Sequence, residues 1–284
     1  MPSNPCRLLL AVVAAALLPL TLAAQKPPAQ KPSADALARA RQLYNEQKLD
    51  AAILAAQDAR RVPASANAAA VVLARAYLER FSQTGVASDL ADAREALKQV
   101  DEPRLTSREQ VEFLVGLGQA FYLEGCLDGC HATAAEQFEQ ALARADELDV
   151  TTRESLFEWW AVTLDKRAQL TPSESRKPIY ARVLARAERE VARPESSAPG
   201  LYWLVAAARG VDDLDRAWGA ATVAWARARF LGSRGPELRK GLDRFVTQVL
   251  LPERAVALAG TDGDAKAALT GLEAKWAEWK AKWE

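Results

Sequence analysis

The segment from Cys126 to His131 is the part of the chain where residue types and spacing are suited to chemistry. It reads Cys-Leu-Asp-Gly-Cys-His and holds two of the three cysteines and the only histidine. Two thiols this close favour a disulfide in an exported chain, and closing so short a loop contributes at most about 2 kcal/mol to the free energy of unfolding. The sequence therefore predicts a disulfide between Cys126 and Cys130.

Covalent haem attachment is an alternative for the same segment, because two cysteines followed by a histidine are its usual signal. Here three residues separate the cysteines instead of two, and Met1 is the only methionine, so a sixth iron ligand is lacking. A free or exchanging dithiol is the third interpretation. A zinc site would need further thiol or imidazole ligands, so we expect no metal and no cofactor.

No combination of residues indicates catalysis. His131 adjoins a cysteine, and the carboxylates are scattered along helix faces like ordinary solvated charges. The glycine pair Gly116 and Gly118 lies inside a helical pattern and lacks the strand that a phosphate-binding loop requires. We therefore expect a protein that is not an enzyme and has no catalytic residues.

Composition favours helices throughout. The 284 residues include 37 basic and 37 acidic side chains, so no net charge suggests nucleic acid as a partner. Alanine is abundant and β-branched residues rarely alternate with polar ones. The predicted fold class is all-α.

The cysteine segment would be positioned by two antiparallel amphipathic helices within 108–145. Each has one apolar stripe at helical spacing: Leu114, Leu117, Gly118 and Phe121 in the first, and Ala134, Phe138 and Ala141 in the second. Small residues at Gly118 and Ala134 would let the two backbones approach closely.

The same pattern recurs along the chain, in 34–62, 66–100, 155–191 and 200–228. Small residues fall where paired helices would cross, as at Ala40 and Ala52, and Pro63 and Pro103 follow second helices. The chain thereby resembles the tetratricopeptide repeat family, with degenerate repeats. The resemblance implies an α-solenoid of about five helix pairs with C-terminal capping helices, and a groove lined by the first helix of each pair.

The two ends differ from the repeats. Residues 1–24 have the order of a cleaved secretory signal peptide, and 25–33 form a Pro-rich linker. We expect a repeat domain over 34–260, a secreted or periplasmic location, and no transmembrane segment in the mature chain. In 261–284, Trp276, Trp279 and Trp283 form one stripe on an amphipathic helix, which would cap the repeats, dock a partner or lie on a membrane.

Two helix boundaries are also predicted. Pro252 should end a helix that begins at Pro236 and start a short one that ends at Gly260. Residues Thr171 and Pro172 should start a helix, as an N-cap followed by a proline.

A binding groove is the expected functional site. Six residues lie one, four or five positions beyond the small crossing residue of their helix, and each is equally well explained as solvated surface: Arg41, Tyr44, Arg75, Glu79, Gln119 and Tyr122. Four tryptophans are assigned to core or inter-repeat packing: Trp159, Trp203, Trp218 and Trp225.

The resulting hypothesis is an exported helical-repeat protein that binds or scaffolds a protein or peptide of the cell envelope. One alternative is a small-molecule-binding component resembling the T subunit of tripartite periplasmic transporters, which an enclosed pocket would favour over an open groove. A second alternative is a monohaem electron carrier that uses the variant Cys126 and Cys130 motif.

Overall fold

The computed structural model describes residues 36–126, 129–144, 146, 148–195, 197–261 and 263–284. These residues form α-helices joined by short turns, without a strand among them, which confirms the all-α prediction. The proposed signal peptide and linker lie outside the described residues. The helices are α1 (Ala36–Asn45), α2 (Leu49–Ala59), α3 (Ala66–Thr84), α4 (Ala87–Lys98), α5 (Ser107–Glu124), α6 (Gly129–Leu142), α7 (Val150–Leu170), α8 (Lys177–Val191), α9 (Ala198–Gly210), α10 (Leu214–Arg227), α11 (Gly235–Phe245), α12 (Leu251–Ala259) and α13 (Ala265–Lys282).

Each helix packs mainly against its neighbours in sequence. The helices α1 and α2, α3 and α4, α5 and α6, α8 and α9, and α9 and α10 are in extensive contact. Alternate helices also meet, since α1 contacts α3, α3 contacts α5, α7 contacts α9 and α9 contacts α11. The backbones of α5 and α7 approach each other less closely than these pairs do. This leaves an opening near the middle of the chain.

Small residues make the close helix contacts. A Cβ atom added at Gly118 on α5 would lie 2.6 Å from Cε1 of Phe138 on α6, so the phenylalanine ring occupies the space above the glycine. Ala134 and Ala141 on the facing side of α6 are completely buried. Sequence spacing thus predicted both the pairing and the residues at the crossing.

The buried side chains fall into two clusters. The first core runs from Ala40 to Ala120 and joins α1 to α5. The second core runs from Val111 to Trp276 and joins α5 to α13. Helix α5 belongs to both, because it presents different faces to each.

Several helices begin at a side-chain cap. Thr106 forms a capping box with Glu109, in which each side chain accepts a hydrogen bond from the other residue's backbone N–H. The side chains of four further N-cap residues accept hydrogen bonds from the first turn of α7, α9, α10 and α13: Asp149, Ser197, Asp213 and Asp264. These caps satisfy N–H groups that a helix leaves without intrahelical partners.

The predicted outer limits near Pro236 and at Gly260 agree with the structure, whereas the break before Pro252 and the helix start at Thr171 are wrong in detail. The backbone stays helical from Gly235 to Ala259, with a π-helical segment at Val246–Leu250 between α11 and α12. Pro252 lacks the N–H that would bond four residues back, and the π-helical turn accommodates that loss without ending the helix. Near Thr171, a 3₁₀ turn at Ser173–Ser175 comes first, and α8 begins only at Lys177.

The C-terminal helix α13 packs its tryptophan stripe onto the preceding helices. Trp276 is 1% exposed and lies between Trp218 and Trp225 of α10, with ring centroids 5.9 Å and 5.4 Å away. Its Nε1 donates to Oδ1 of Asp243 at 2.8 Å. Trp279 donates to the carbonyl oxygen of Thr222 at 3.0 Å.

No described helix has the length and apolar character needed to cross a membrane.

Candidate functional site

A cavity of about 390 Å³ lies in the opening between α5 and α7. Its walls come from α1, α3, α5 and the first half of α7. Exposed residues such as Arg108 and Asp149 stand at its edge, so the cavity is open to solvent. We call it the central cavity.

Five of the six residues predicted to line a groove do line the central cavity: Arg41, Tyr44, Arg75, Glu79 and Gln119. The sixth, Tyr122, lies one step away. Its ring meets that of Trp159 edge to face with centroids 5.3 Å apart, and Trp159 is part of the cavity wall. Three different helices therefore bring the six residues to one region.

Arg41 is neutralised within the protein. Its Nη2 atom lies 2.8 Å from Oε1 of Glu109 and 3.6 Å from Oε2 of Glu112. Burial by itself would raise the pKa of Glu109, but hydrogen bonds from Thr106 and Arg41 outweigh that effect and lower it. The capping box thus orients the Glu109 carboxylate in its ionised form, and the ion pair with Arg41 joins α1 to the start of α5.

Arg75, unlike Arg41, packs against an aromatic ring and has no carboxylate partner among the described residues. Its guanidinium carbon lies 4.8 Å from the centroid of the Tyr44 ring, as a cation–π pair between α3 and α1. Its stem passes over Gly116, where an added Cβ would lie 3.6 Å from Cγ of Arg75. Within the described part of the chain, Arg75 has no ion pair or side-chain hydrogen bond, and its Nε atom is buried without a partner.

Gln119 supplies a second free polar group. It is 7% exposed, lies one turn beyond Gly116 on α5, and forms no side-chain hydrogen bond with any described residue. Its polar atoms are not fully enclosed, and the residue lines the central cavity.

The sequence assigned Trp159 to packing, and in the structure it both packs and lines the central cavity. Its ring packs on Phe138 at 6.2 Å and on Tyr122, while another part of it lines the central cavity. Tyr122 also contacts His131 edge to face at 5.7 Å. Burial and the charge of Lys166 lower the pKa of His131, which favours the neutral ring. An aromatic wall therefore connects the start of α6 with the cavity.

The predicted cysteine pair is confirmed at the level of distance. Cys126 and Cys130 lie at disulfide-bonding distance with their Cα atoms 5.5 Å apart, between the end of α5 and the first turn of α6. Residues 127 and 128 lie outside the described residues. The bridge joins the two helices next to His131, outside the cavity wall.

Carboxylates further along α7 face α8 and α9. Glu158 Oε2 accepts a hydrogen bond from Nε1 of Trp203 at 3.0 Å, and burial raises its pKa. Asp165 Oδ1 accepts the hydroxyl of Tyr180 at 2.7 Å. Burial, followed by this hydrogen bond, raises the pKa of Tyr180. These groups hold helices together and are not part of the cavity wall.

A second, apolar cavity of about 360 Å³ lies between α4 and α5. Leu97, Phe113 and Phe121 line it, and an ion pair between Arg94 and Glu124 closes one side at 2.6 Å. Sequence reasoning did not identify it.

Metal-binding chemistry finds no support in the described residues, which contain no group of three or more His, Cys, Asp or Glu side chains placed to hold an ion. No family model, curated protein or solved structure matches the chain.

Proposed function

We propose that this protein is an exported helical-repeat binding protein, and that the central cavity receives a peptide segment of another cell-envelope protein. The observation that carries the proposal is the convergence of groove residues from α1, α3 and α5 on one solvent-open cavity. Repeat proteins of the tetratricopeptide kind, which the chain resembles, use the first helices of their pairs in this way.

The alternating contacts support a solenoid arrangement. Most first helices of neighbouring pairs touch each other, as α1 and α3, α3 and α5, and α7 and α9 do, and second helices such as α2 and α6 also pack on the helix that follows them. In this proposal α13 caps the last pair, because its tryptophans fill the space over α10 and α11. The N-terminal sequence supports export, and intact-mass measurement of the exported protein should show a chain that begins near residue 25.

A small-molecule-binding component, resembling the T subunit of tripartite periplasmic transporters, is the second candidate. The cavity volume favours it, since about 390 Å³ falls within the range of roughly 300–1,000 Å³ typical of ligand pockets. The exposed edge at Arg108 and Asp149 favours a peptide instead. With the two cysteine sulfurs bonded to each other, neither is available for a thioether bond to haem.

Site-specific photo-crosslinking tests the proposal. A photoreactive phenylalanine derivative replaces Tyr44 in the cavity and, in a control protein, Leu54, which is 64% exposed on α2 outside the cavity. Irradiation in intact cells of the source organism should give a discrete protein adduct from position 44 and none from position 54.

The same protein, purified without irradiation, is measured by native mass spectrometry. A bound small molecule that is lost when Tyr44 is changed to alanine would support the second candidate. Absence of any cavity-specific adduct, together with an unliganded native mass, would contradict both binding functions.

A further inference from the structure

We propose that the apolar cavity between α4 and α5 binds a single-chain amphiphile, a small molecule with one extended apolar chain and one anionic head group. The site is separate from the central cavity, and the inference does not depend on the proposed peptide-binding function.

The two cavities lie on opposite faces of α5. Five residues of this helix line the central cavity and five others line the apolar cavity: Arg108, Val111, Glu112, Val115 and Gln119 for the first, and Phe113, Leu117, Ala120, Phe121 and Glu124 for the second. Successive residues of an α-helix are about 100° apart, so these two sets point in nearly opposite directions. A molecule in the apolar cavity therefore does not occupy the central one.

The lining of the apolar cavity is hydrophobic apart from its rim. Leu97, Phe113 and Ala120 belong to the buried first core, and Leu117 and Phe121 are half-buried at the cavity. Removing apolar surface from water is favourable roughly in proportion to its area, so this lining favours an apolar ligand. The volume of about 360 Å³ lies within the range of roughly 300–1,000 Å³ typical of small-molecule sites.

The cavity is long enough for an extended chain. Its lining residues run along α5 from Phe113 to Glu124, which is three turns, or about 16 Å at 1.5 Å per residue. A volume of about 360 Å³ spread along this length makes a narrow trough. One hydrocarbon chain suits such a trough better than a bulky ring system.

The rim of the cavity has one cation without a partner. Arg94 pairs with Glu124, so these two charges neutralise each other. Lys98 lies one turn beyond Arg94 on α4, is exposed, and forms neither an ion pair nor a side-chain hydrogen bond with any described residue. The nearby Glu95 accepts a hydrogen bond from Gln99 at 3.0 Å. A flexible ammonium group beside apolar surface favours a ligand whose apolar chain ends in an anionic group.

Other occupants fit the cavity less well. Residues 25–35, which precede α1, read QKPPAQKPSAD and contain no apolar side chain larger than proline. A second copy of the chain would have to insert an exposed apolar residue such as Leu54 or Leu258, and neither brings an anionic group with it. A free amphiphile matches both the apolar lining and the unpaired Lys98.

Calorimetric titration of the purified protein tests the proposal. The probes are hexanoate, octanoate and decanoate, used below the concentrations at which they form micelles, with octylammonium as the head-group control. Leu117→Trp fills the cavity, and Lys98→Glu reverses the charge at its rim. Leu258→Trp and Lys275→Glu make the same changes at exposed positions on α12 and α13, and Tyr44→Ala alters only the central cavity.

We expect each pair of added methylene groups to tighten binding roughly tenfold while the chain still fits. Octanoate should bind roughly threefold more tightly than octylammonium, because charge pairs exposed to solvent contribute little. Leu117→Trp should weaken octanoate binding by roughly tenfold or more, and Lys98→Glu should abolish the preference for the anion. The variants at Leu258, Lys275 and Tyr44 should bind as the wild type does.

A measurement on the wild type covers the case in which Leu117→Trp does not fold, which thermal unfolding would show. In an NMR titration with octanoate, the methyl signals of Leu97, Leu117 and Ala120 should shift. Those of Val72 and Val111, which line the central cavity, should stay in place.

Several results would overturn the inference. These are chains of all lengths binding equally or not at all, octylammonium binding as tightly as octanoate, and methyl shifts confined to the central cavity. A dimer in native mass spectrometry that Leu117→Trp dissociates would place a second copy of the chain in the cavity and would also refute the proposal. Photo-crosslinking from position 44 reports on the central cavity, so failure of one proposal leaves the other standing.

Discussion

The first core and the second core both bury many alanines but differ in their largest side chains. Eight of the buried residues in the first core are alanines, and Tyr77 and Phe113 are its only aromatic members among the described residues. All eight tryptophans of the chain lie at or beyond position 159, and four of them are buried in the second core. The central cavity lies where one kind of packing gives way to the other.

This difference explains why the cavity lies at α5 and α7. Helices α1, α3 and α5 pack side by side, with small buried residues such as Ala40, Ala76 and Ala120 among their core positions, and their polar residues form one wall of the cavity. Between α5 and α7 the contact is made by large rings, since Tyr122 of α5 meets Trp159 of α7 edge to face.

The largest expected effect concerns the ring at the centre of the C-terminal packing. Trp276→Ala should lower the free energy of unfolding by about 4 kcal/mol, because it leaves a cavity beside Trp218 and Trp225. Chemical denaturation measures the change. Trp276→Phe keeps most of the volume and loses the hydrogen bond to Asp243, so it should cost clearly less. Equal losses for both variants would show that the hydrogen bond, and not the packed ring, stabilises this region.

A smaller effect is expected from enlarging a residue of the first core. Ala56 on α2 is completely buried, so Ala56→Leu should overpack the helix contacts and destabilise the protein by about 2 kcal/mol. Ala51→Leu makes the same change on the exposed side of α2 and serves as the control. If Ala56→Leu were as stable as the wild type, the first core would have enough empty space beside Ala56 for a leucine side chain, and it would not be tightly packed there.

The smallest effect should depend on pH. Burial raises the pKa of Glu158, so the native state binds its proton more tightly than the unfolded chain does. This contribution to stability is fully present below the unfolded pKa of about 4.3 and is lost as pH rises through the higher native pKa.

Glu158→Gln removes the ionisable group and keeps an oxygen that can accept from Trp203. We expect it to be more stable than the wild type at neutral pH, by under about 1 kcal/mol, with the gain disappearing in acid. Unfolding measured across this pH range checks the sign, with the exposed Glu136→Gln as control. A gain that is constant with pH would rule out ionisation of Glu158 as its cause.

Spacing of small residues predicted most of the fold, because Ala40, Ala52, Gly118 and Ala134 can be read directly as helix crossings. The continuous helix through Pro252 could not be predicted, since the π-helical turn that accommodates it has no sequence signal that we recognised. The capping box at Thr106 and Glu109 follows a sequence pattern, Thr followed three residues later by Glu, that marks the start of a helix.

The sequence predicted which helix positions line the site. It did not predict which of the charged side chains there form ion pairs with each other. Counting from the crossing residue placed Arg41 and Arg75 on the same wall. Which of the two arginines is neutralised depends on distances between helices. Arg41 and Glu109, for example, are 68 positions apart in sequence, and their side chains lie 2.8 Å apart in the structure. Trp159 was assigned to packing alone, because a tryptophan that packs in the core and one that also lines a cavity occur at the same helical spacing in sequence.

The arrangement in which each helix packs mainly on its neighbours in sequence, and several on the next but one, also has a kinetic consequence. Contacts between neighbouring helices close short loops, which costs little chain entropy, and proteins rich in such contacts fold fast. A helix pair can therefore form as soon as its own residues are available, without waiting for the C-terminus. The N-terminal pairs would serve as the template on which later pairs assemble, and α13, which depends on α10 to α12, would join last.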